Sequence, residues 1–122
     1  MAGVLGVGGI FFKAADVPGL SDWYRRVLGF ELQDWGGTAF PPLPRGVTVW
    51  SPFKADSRYF DPSTQPFMVN FVVDDLDAVL DRVGTQGVEL LGRDDQDGMG
   101  RFAWIIDPAG TKIELWEPKP EG

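Results

Sequence analysis

The chain has 122 residues, the length of one domain, and it contains neither cysteine nor histidine. Disulfide bonds and thiol chemistry are therefore excluded, and so are histidine general bases and histidine metal ligands. The formal net charge of −7 argues against nucleic acid and anionic membranes as partners. Because there is neither a long apolar run nor a basic leader segment, we expect a cytoplasmic protein.

The first half of the chain predicts a strand, a helix and three shorter strands. Apolar residues within 6–15 favour a strand. In the helix that follows, Asp16 is the expected N-cap, Pro18 lies in the first turn and Gly29 marks the end. Three further runs with strand-type composition cover residues 30–35, 38–40 and 47–51.

A polar and proline-rich linker at 52–66 separates the two halves, and the same pattern then restarts. Residues 67–73 predict a strand. Asp74 or Asp75 then caps a second amphipathic helix, which is expected to end at Gly87.

The last part of the chain predicts one more strand, a loop and a hairpin. Residues 88–91 have strand-type composition, and the acidic stretch 93–98 predicts a solvated loop. Two apolar runs then flank Asp107-Pro108-Ala109-Gly110. In this turn Asp bonds its own backbone, Pro presets φ and Gly accepts a positive φ, so residues 100–117 form a strand-turn-strand unit.

The two halves repeat each other, since Gly29-Phe-Glu-Leu32 recurs as Gly87-Val-Glu-Leu90. We predict an α+β fold in which two β-α-β-β-β modules, at about 6–51 and 67–118, form a single domain over residues 1–122. Each module alone leaves one face of its sheet half-covered. Pairing the modules into an incomplete barrel would place the helices outside and a concave face inside.

The last strand carries a carboxylate in an apolar setting. Alternation places Ile113 and Leu115 on one face, and Lys112, Glu114 and Trp116 on the other. An unpaired carboxylate in a core costs several kcal/mol, so Glu114 must point to solvent, pair with a cation or line a cavity. The cations expected across this face are Lys13, Lys112 and Arg101.

Aromatic and polar side chains on the predicted concave face form a candidate ligand-binding site. Its members are Phe11, Met68, Asn70, Trp104, Glu114 and Trp116. Aromatic rings suit a flat or amphipathic ligand, and an amide on an apolar strand needs polar partners. The alternative is that the strand tryptophans belong to the core or to a dimer interface; these are Trp35, Trp50, Trp104 and Trp116.

The ordered set of motifs resembles the vicinal oxygen chelate superfamily, which includes glyoxalase I, extradiol dioxygenases, fosfomycin resistance proteins and bleomycin-binding proteins. The matching residues extend over nearly the whole chain: Asp16 with Trp23-Tyr24, Leu28-Gly29-Phe30, Val73-Asp74-Asp75-Leu76-Asp77, Asp107-Pro108-Ala109-Gly110 and Ile113-Glu114-Leu115. The resemblance implies the glyoxalase/bleomycin resistance/dioxygenase-like fold and a homodimer whose subunits complete or flank the site.

The resemblance also implies where a metal would bind. Metal-dependent members usually hold a divalent ion with His or Gln on the first strand of each module and Glu on the last strand. The matching positions here are Gly9, Met68 and Glu114, and a fourth position near 48–50 offers little. Glycine has no side chain and the methionine thioether is a soft ligand. We therefore expect no cofactor; the open alternative is a divalent ion held by Glu114 with backbone or water oxygens.

These residues lead us to expect a metal-independent protein that binds a small hydrophobic or aromatic compound, as the drug-binding antibiotic resistance members do. Two other classes stay open. One is an enzyme, either a divalent-metal-dependent lyase, isomerase or dioxygenase, or an acid/base enzyme with Glu114 as its catalytic residue. The other is an interaction module whose tryptophan-rich face is a subunit interface. The expected partners are a small-molecule ligand and a second copy of the chain, with neither nucleic acid nor membrane.

Overall fold

The computed structural model describes residues 2–120. Over this range the chain forms two helices and four strands, in the order α1 (Val17–Leu28), β1 (Val69–Val72), α2 (Leu76–Thr85), β2 (Gly92–Asp97), β3 (Gly100–Ile106) and β4 (Lys112–Pro118). The strands form one sheet in the order β1-β4-β3-β2, with β1 parallel to β4 and the other neighbours antiparallel. The predicted α+β class is confirmed, and the sheet is open.

Both helices begin at the aspartates that the sequence indicates. The Asp16 carboxylate caps α1 by accepting a hydrogen bond from the backbone N–H of Gly19 at 3.0 Å. Asp75 caps α2 by accepting from the backbone N–H of Ala78. α1 ends at Gly29, whose φ of 74° lies in the left-handed region that favours glycine. Neither helix within residues 2–120 is long and apolar enough to cross a bilayer.

One face of the sheet packs against both helices and forms the core. Along β4, Ile113 and Leu115 point to this face and are almost fully buried, as their alternation with Glu114 predicts. Full burial of such a side chain contributes about 1.5 to 3 kcal/mol. The other core members are Leu20, Trp23, Tyr24, Val27, Leu76, Val83, Ala103 and Ile105.

The turn between β3 and β4 is the predicted one, and it is tied to α1. One carboxylate oxygen of Asp107 accepts hydrogen bonds from the backbone N–H groups of Ala109 and Thr111, each at 2.9 Å. Gly110 supplies the positive φ, at 85°. The second oxygen of Asp107 accepts the hydroxyl of Tyr24 at 2.6 Å in a buried setting. The hairpin is therefore fixed in position relative to the helix layer.

Two predictions for the segment after α2 are wrong. Residues 88–91 are not a strand, and the acidic stretch predicted as a loop at 93–98 forms most of β2. β2 is an edge strand of the sheet. At an edge, charged side chains can reach solvent while the backbone stays hydrogen-bonded to the neighbouring strand. Arg93 pairs there with Asp77 of α2 at 2.6 Å and with Asp95 at 2.8 Å.

The predicted strands of the first half do not form ladders. The segments 6–15, 30–35, 38–40 and 47–51 contain no assigned strand in the structure of residues 2–120. Strand-type composition stabilises a strand only where a neighbouring strand offers its hydrogen-bonding edge, and the sheet contains β1 to β4 alone. Several large apolar side chains of these segments are exposed, among them Ile10, Phe11, Trp35, Phe40, Val49 and Trp50.

Candidate ligand-binding site

The face of the sheet opposite the helices carries a row of aromatic and polar side chains. The strand register places Asn70 of β1, Glu114 of β4 and Trp104 of β3 side by side. One step further along, Val72, Trp116 and Phe102 form a second row. Since β4 lies between β1 and β3, its residue Glu114 is at the centre of this face.

The three aromatic side chains of β3 and β4 form a stacked ladder. The ring of Phe102 is nearly parallel to Trp104, with centroids 6.3 Å apart, and to Trp116, with centroids 5.9 Å apart. The indole N–H of Trp116 donates to the backbone oxygen of Met99 at 2.9 Å, which holds this ring at the β2–β3 turn. The result is a row of parallel aromatic rings fixed by the sheet, in which Trp116 is buried.

Glu114 lies buried beside this ladder, with only 7% of its surface exposed. One carboxylate oxygen accepts the side-chain amide of Asn70 at 2.7 Å. The other accepts the indole N–H of Trp104 at 2.8 Å and the hydroxyl of Tyr59. The buried carboxylate is thus satisfied by three neutral donors, which offset the cost of its desolvation.

Tyr59 reaches Glu114 from the linker at 52–66. Its ring is 41% exposed and stands edge-on to Trp104, with centroids 6.5 Å apart. Partial burial raises the pKa of Tyr59, and the hydrogen bond to Glu114 raises it further. The phenol therefore keeps its proton and remains a hydrogen-bond donor at neutral pH.

Lys112 completes the group. Its ammonium nitrogen donates to the backbone oxygen of Tyr59 at 2.6 Å, and it lies 5.2 Å from the Tyr59 ring centroid and 5.8 Å from that of Trp104. Burial lowers the pKa of Lys112, while the charges of Glu114 and Asp61 oppose that shift. The lysine contributes a cation–π contact to the aromatic surface.

Beyond Trp116 the face continues into a hollow. This hollow has a volume of about 270 Å³ and lies between Trp116, the Gly46–Val47 loop and the Gly98–Met99 turn. Trp116 is the member of the aromatic ladder that lines this hollow.

Comparison with known proteins identifies the family of this chain. The sequence profile of the Glyoxalase/Bleomycin resistance protein/Dioxygenase superfamily matches residues 10–115. The chain belongs to this superfamily. The resemblance seen in the sequence motifs is thereby confirmed. A comparison with curated protein sequences finds no match.

Three solved structures show a similar fold. TnmS3, an antibiotic binding protein from Streptomyces sp. CB03234, is 23% identical with a TM-score of 0.62, over 98% of this chain and 100% of that one. A virulence protein from Salmonella typhimurium is 14% identical with a TM-score of 0.53, over 91% and 100%. A superfamily member from Sphaerobacter thermophilus is 20% identical with a TM-score of 0.50, over 85% and 90%. At these identities the likeness concerns the fold alone.

The side chains around Glu114 do not fit the divalent ion of metal-dependent superfamily members. Its neighbours Asn70, Trp104 and Tyr59 present N–H or O–H donors, and the ammonium group of Lys112 lies over the adjacent rings. An indole N–H and an ammonium group cannot coordinate a cation. The described part of the chain contains no group of three or more His, Cys, Asp or Glu side chains placed to hold a metal ion.

The structure brings together some of the residues proposed from the sequence. Asn70, Trp104 and Glu114 are in direct contact, and Trp116 joins them through the ladder. Met68 lies half-buried just before β1, on the alternation that leads to Asn70. Phe11 is 93% exposed, in a segment outside the sheet. Its role in binding stays a prediction.

Of the alternatives that the sequence left open for Glu114, the structure does not show an ion pair with the expected cations. Glu114 accepts neutral donors, and Arg101 pairs instead with Asp77 at 3.2 Å and Glu117 at 3.0 Å. The donor missed by sequence reasoning is Tyr59. It lies 55 positions from Glu114, in a segment without a periodic pattern that could have indicated the contact.

Proposed function

We propose that this protein binds a small hydrophobic or aromatic compound on the open face of its sheet, without a metal. The observation that carries this proposal is the combination of a buried acceptor, Glu114, with a fixed aromatic ladder that leads to the hollow at Trp116. Small-molecule sites are typically apolar concavities with a few placed polar groups. The ladder would supply contact area, and Glu114 would orient the ligand.

Sequestration of a toxic compound is the biological role that we propose for this binding. TnmS3, which shares the fold over the whole of its length, is an antibiotic binding protein. A passive binder needs burial and shape rather than a reactive group. The superfamily also contains enzymes, so the fold alone supports the role without deciding it.

Binding is tested by calorimetric titration of the untagged protein with a panel of flat aromatic compounds, including antibiotics. Trp104→Phe removes the indole donor to Glu114 and half of the bicyclic surface, so we expect weaker binding. Trp35→Phe is the matched control, because Trp35 is 69% exposed and lies outside the sheet. Equal losses in both variants, or no binding by any compound, would contradict the proposal.

Metal independence is tested by elemental analysis after dialysis. A histidine tag must be removed first, because the native chain has no histidine and a tag would supply ligands. We expect no stoichiometric divalent ion and no change of melting temperature on adding Mn²⁺, Zn²⁺ or Mg²⁺. About one ion per chain that survives dialysis and is lost in Glu114→Gln would overturn this part of the proposal.

A second candidate is acid/base catalysis at Glu114. The observation that favours this candidate is a buried carboxylate in contact with the hydroxyl of Tyr59, the position from which a general base would reach a hydroxyl group of a bound compound. Once a binding compound is known, turnover by the wild type that disappears in Glu114→Gln, with ligand affinity kept, would favour catalysis over sequestration.

We also propose that the protein forms a homodimer. The exposed apolar side chains of the first half belong to extended segments that have no partner strand within residues 2–120. Large exposed apolar surfaces mark interaction sites, and a second copy offers the same unpaired segments in return. Sedimentation equilibrium should give twice the chain mass, and a stable monomer at micromolar concentration would contradict the dimer.

A further inference from the structure

The side chain of Tyr59 occupies the position at Glu114 that the proposed ligand would need. Its hydroxyl donates to the same carboxylate oxygen as the Trp104 indole. Its ring lies beside the Trp104 ring, with centroids 6.5 Å apart, and 5.2 Å from the Lys112 ammonium nitrogen. A phenol is thus already placed with its polar end on the buried acceptor and its ring on the aromatic ladder.

The linker that carries Tyr59 is held mainly by local turns. Within 52–66 the backbone bonds join neighbours, such as Ser57 to Lys54 and Asp61 to Arg58. Towards the sheet it is anchored at its end, where the Ser63 hydroxyl donates to the backbone oxygen of Gly110 and the Gln65 side-chain amide to that of Ala109. In the middle of the linker Tyr59 makes two hydrogen bonds to β4: its hydroxyl donates to Glu114, and its backbone oxygen accepts the ammonium group of Lys112.

The burial of the two partners is unequal. Glu114 is 7% exposed, whereas Tyr59 is 41% exposed. The acceptor belongs to the rigid sheet, and the donor belongs to an exposed segment. The phenol can therefore leave by movement of the linker alone, while Trp104 and Asn70 continue to hold the carboxylate.

We infer that Tyr59 is an internal stand-in for the ligand, and that the ligand is an aromatic compound with a hydroxyl donor that replaces Tyr59 on Glu114. This inference rests on the proposed binding function and names the chemical class of its ligand. A compound that cannot donate a hydrogen bond would displace Tyr59 without replacing its hydrogen bond to Glu114, so it would bind more weakly.

The inference predicts that removing the Tyr59 side chain strengthens binding. A ligand that binds only the open form has its affinity reduced by the fraction of open molecules. If about 10% of molecules are open, a typical upper value for a minor state, Tyr59→Ala raises the affinity about tenfold. Tyr59→Phe keeps the ring but not the hydroxyl, and its affinity should lie between those of Tyr59→Ala and the wild type.

The experiment uses 2-naphthol and 2-methoxynaphthalene, which share a ring system and differ in the hydroxyl donor. Both are titrated calorimetrically into the untagged wild type, Tyr59→Ala, Tyr59→Phe and Arg58→Ala. Arg58→Ala is the control, since that side chain is 88% exposed and pairs only with Asp61 of the same linker in the described structure. We expect 2-naphthol to bind Tyr59→Ala about tenfold tighter than the wild type. It should also bind at least about tenfold tighter than the ether, with Arg58→Ala unchanged.

Each contrary result has a separate meaning. If 2-naphthol binds the wild type and Tyr59→Ala equally, the inference that Tyr59 occupies the ligand position is refuted, and the proposed binding function stands. If both probes bind Tyr59→Ala with equal affinity, the hydroxyl-donor class is refuted. If neither probe binds any variant while other aromatic compounds bind in a Trp104-dependent way, this inference fails alone. If no aromatic compound binds at all, the proposed function fails with it.

Discussion

Replacing Asn70 by aspartate tests whether Glu114 is held by neutral donors. Asn70 donates its side-chain amide to one oxygen of Glu114 at 2.7 Å. Asn70→Asp keeps the size of the side chain but turns a donor into a second carboxylate. Two like charges then face each other on adjacent strands, which is destabilising.

The destabilisation expected for Asn70→Asp follows from the distance between the two carboxylates and from how far each is exposed to solvent. Two unit charges about 4 Å apart repel by about 1 kcal/mol in water and by about 4 kcal/mol at the effective dielectric of a protein surface. Asn70 is exposed and Glu114 is buried, so the cost lies between these limits. To this the variant adds the lost hydrogen bond, which Asn70→Ala measures separately.

The assay is urea denaturation of the wild type, Asn70→Asp and Asn70→Ala across a pH series. Repulsion raises the pKa of the introduced carboxyl above its ordinary value. Its penalty is therefore complete well above that raised pKa, and it disappears as the pH falls through it. We expect the gap between Asn70→Asp and Asn70→Ala to close below about pH 4. A gap that is absent at pH 8, or that does not depend on pH, would refute the neutral-donor account of Glu114.

Three further changes test the structure around the site. Tyr24→Phe removes the hydroxyl donor of buried Asp107, and urea denaturation should show a loss of about 1.5 to 3 kcal/mol; a negligible loss would contradict the contact. Gly84→Ala, at an open helical position, should stabilise by up to about 1 kcal/mol, and Gly29→Ala, at φ 74°, should destabilise by a similar amount. Equal signs would contradict the assigned conformations. A backbone N–H of α2 holds the pKa of Glu117 below its ordinary value, so its stabilisation is lost as pH falls through that lowered pKa. Glu117→Gln should flatten this acid dependence in thermal melts, and an unchanged profile would contradict it.

The elements that the sequence predicted well are those whose signals are local. The aspartate caps, the glycine end of α1 and the Asp107–Gly110 turn each depend on a few adjacent residues, and each is found where expected. The alternation in β4 also predicted which side chains face the core, because the period of a strand is set by its own backbone.

The elements that were missed depend on distant partners. β2 forms from an acidic stretch because it pairs with β3 and its arginine meets Asp77 of α2, and none of this is visible in the stretch itself. The apolar runs of the first half have strand composition but pair with no strand within residues 2–120. The composition of a segment shows that it is able to form a strand, but the strand forms only where a neighbouring strand is available for pairing.

The contact between Glu114 and Tyr59 belongs to the same class of long-range effects, and it changes what the glutamate can do. A carboxylate buried on an apolar sheet needs either a cation or several donors. Here the donors are neutral, and two of them, from Asn70 and Trp104, come from the rigid sheet, whereas the third comes from the exposed linker. On the proposal made above, the position that Tyr59 occupies at Glu114 would be open to exchange. It would therefore select ligands by their ability to donate a hydrogen bond rather than by their ability to chelate a metal.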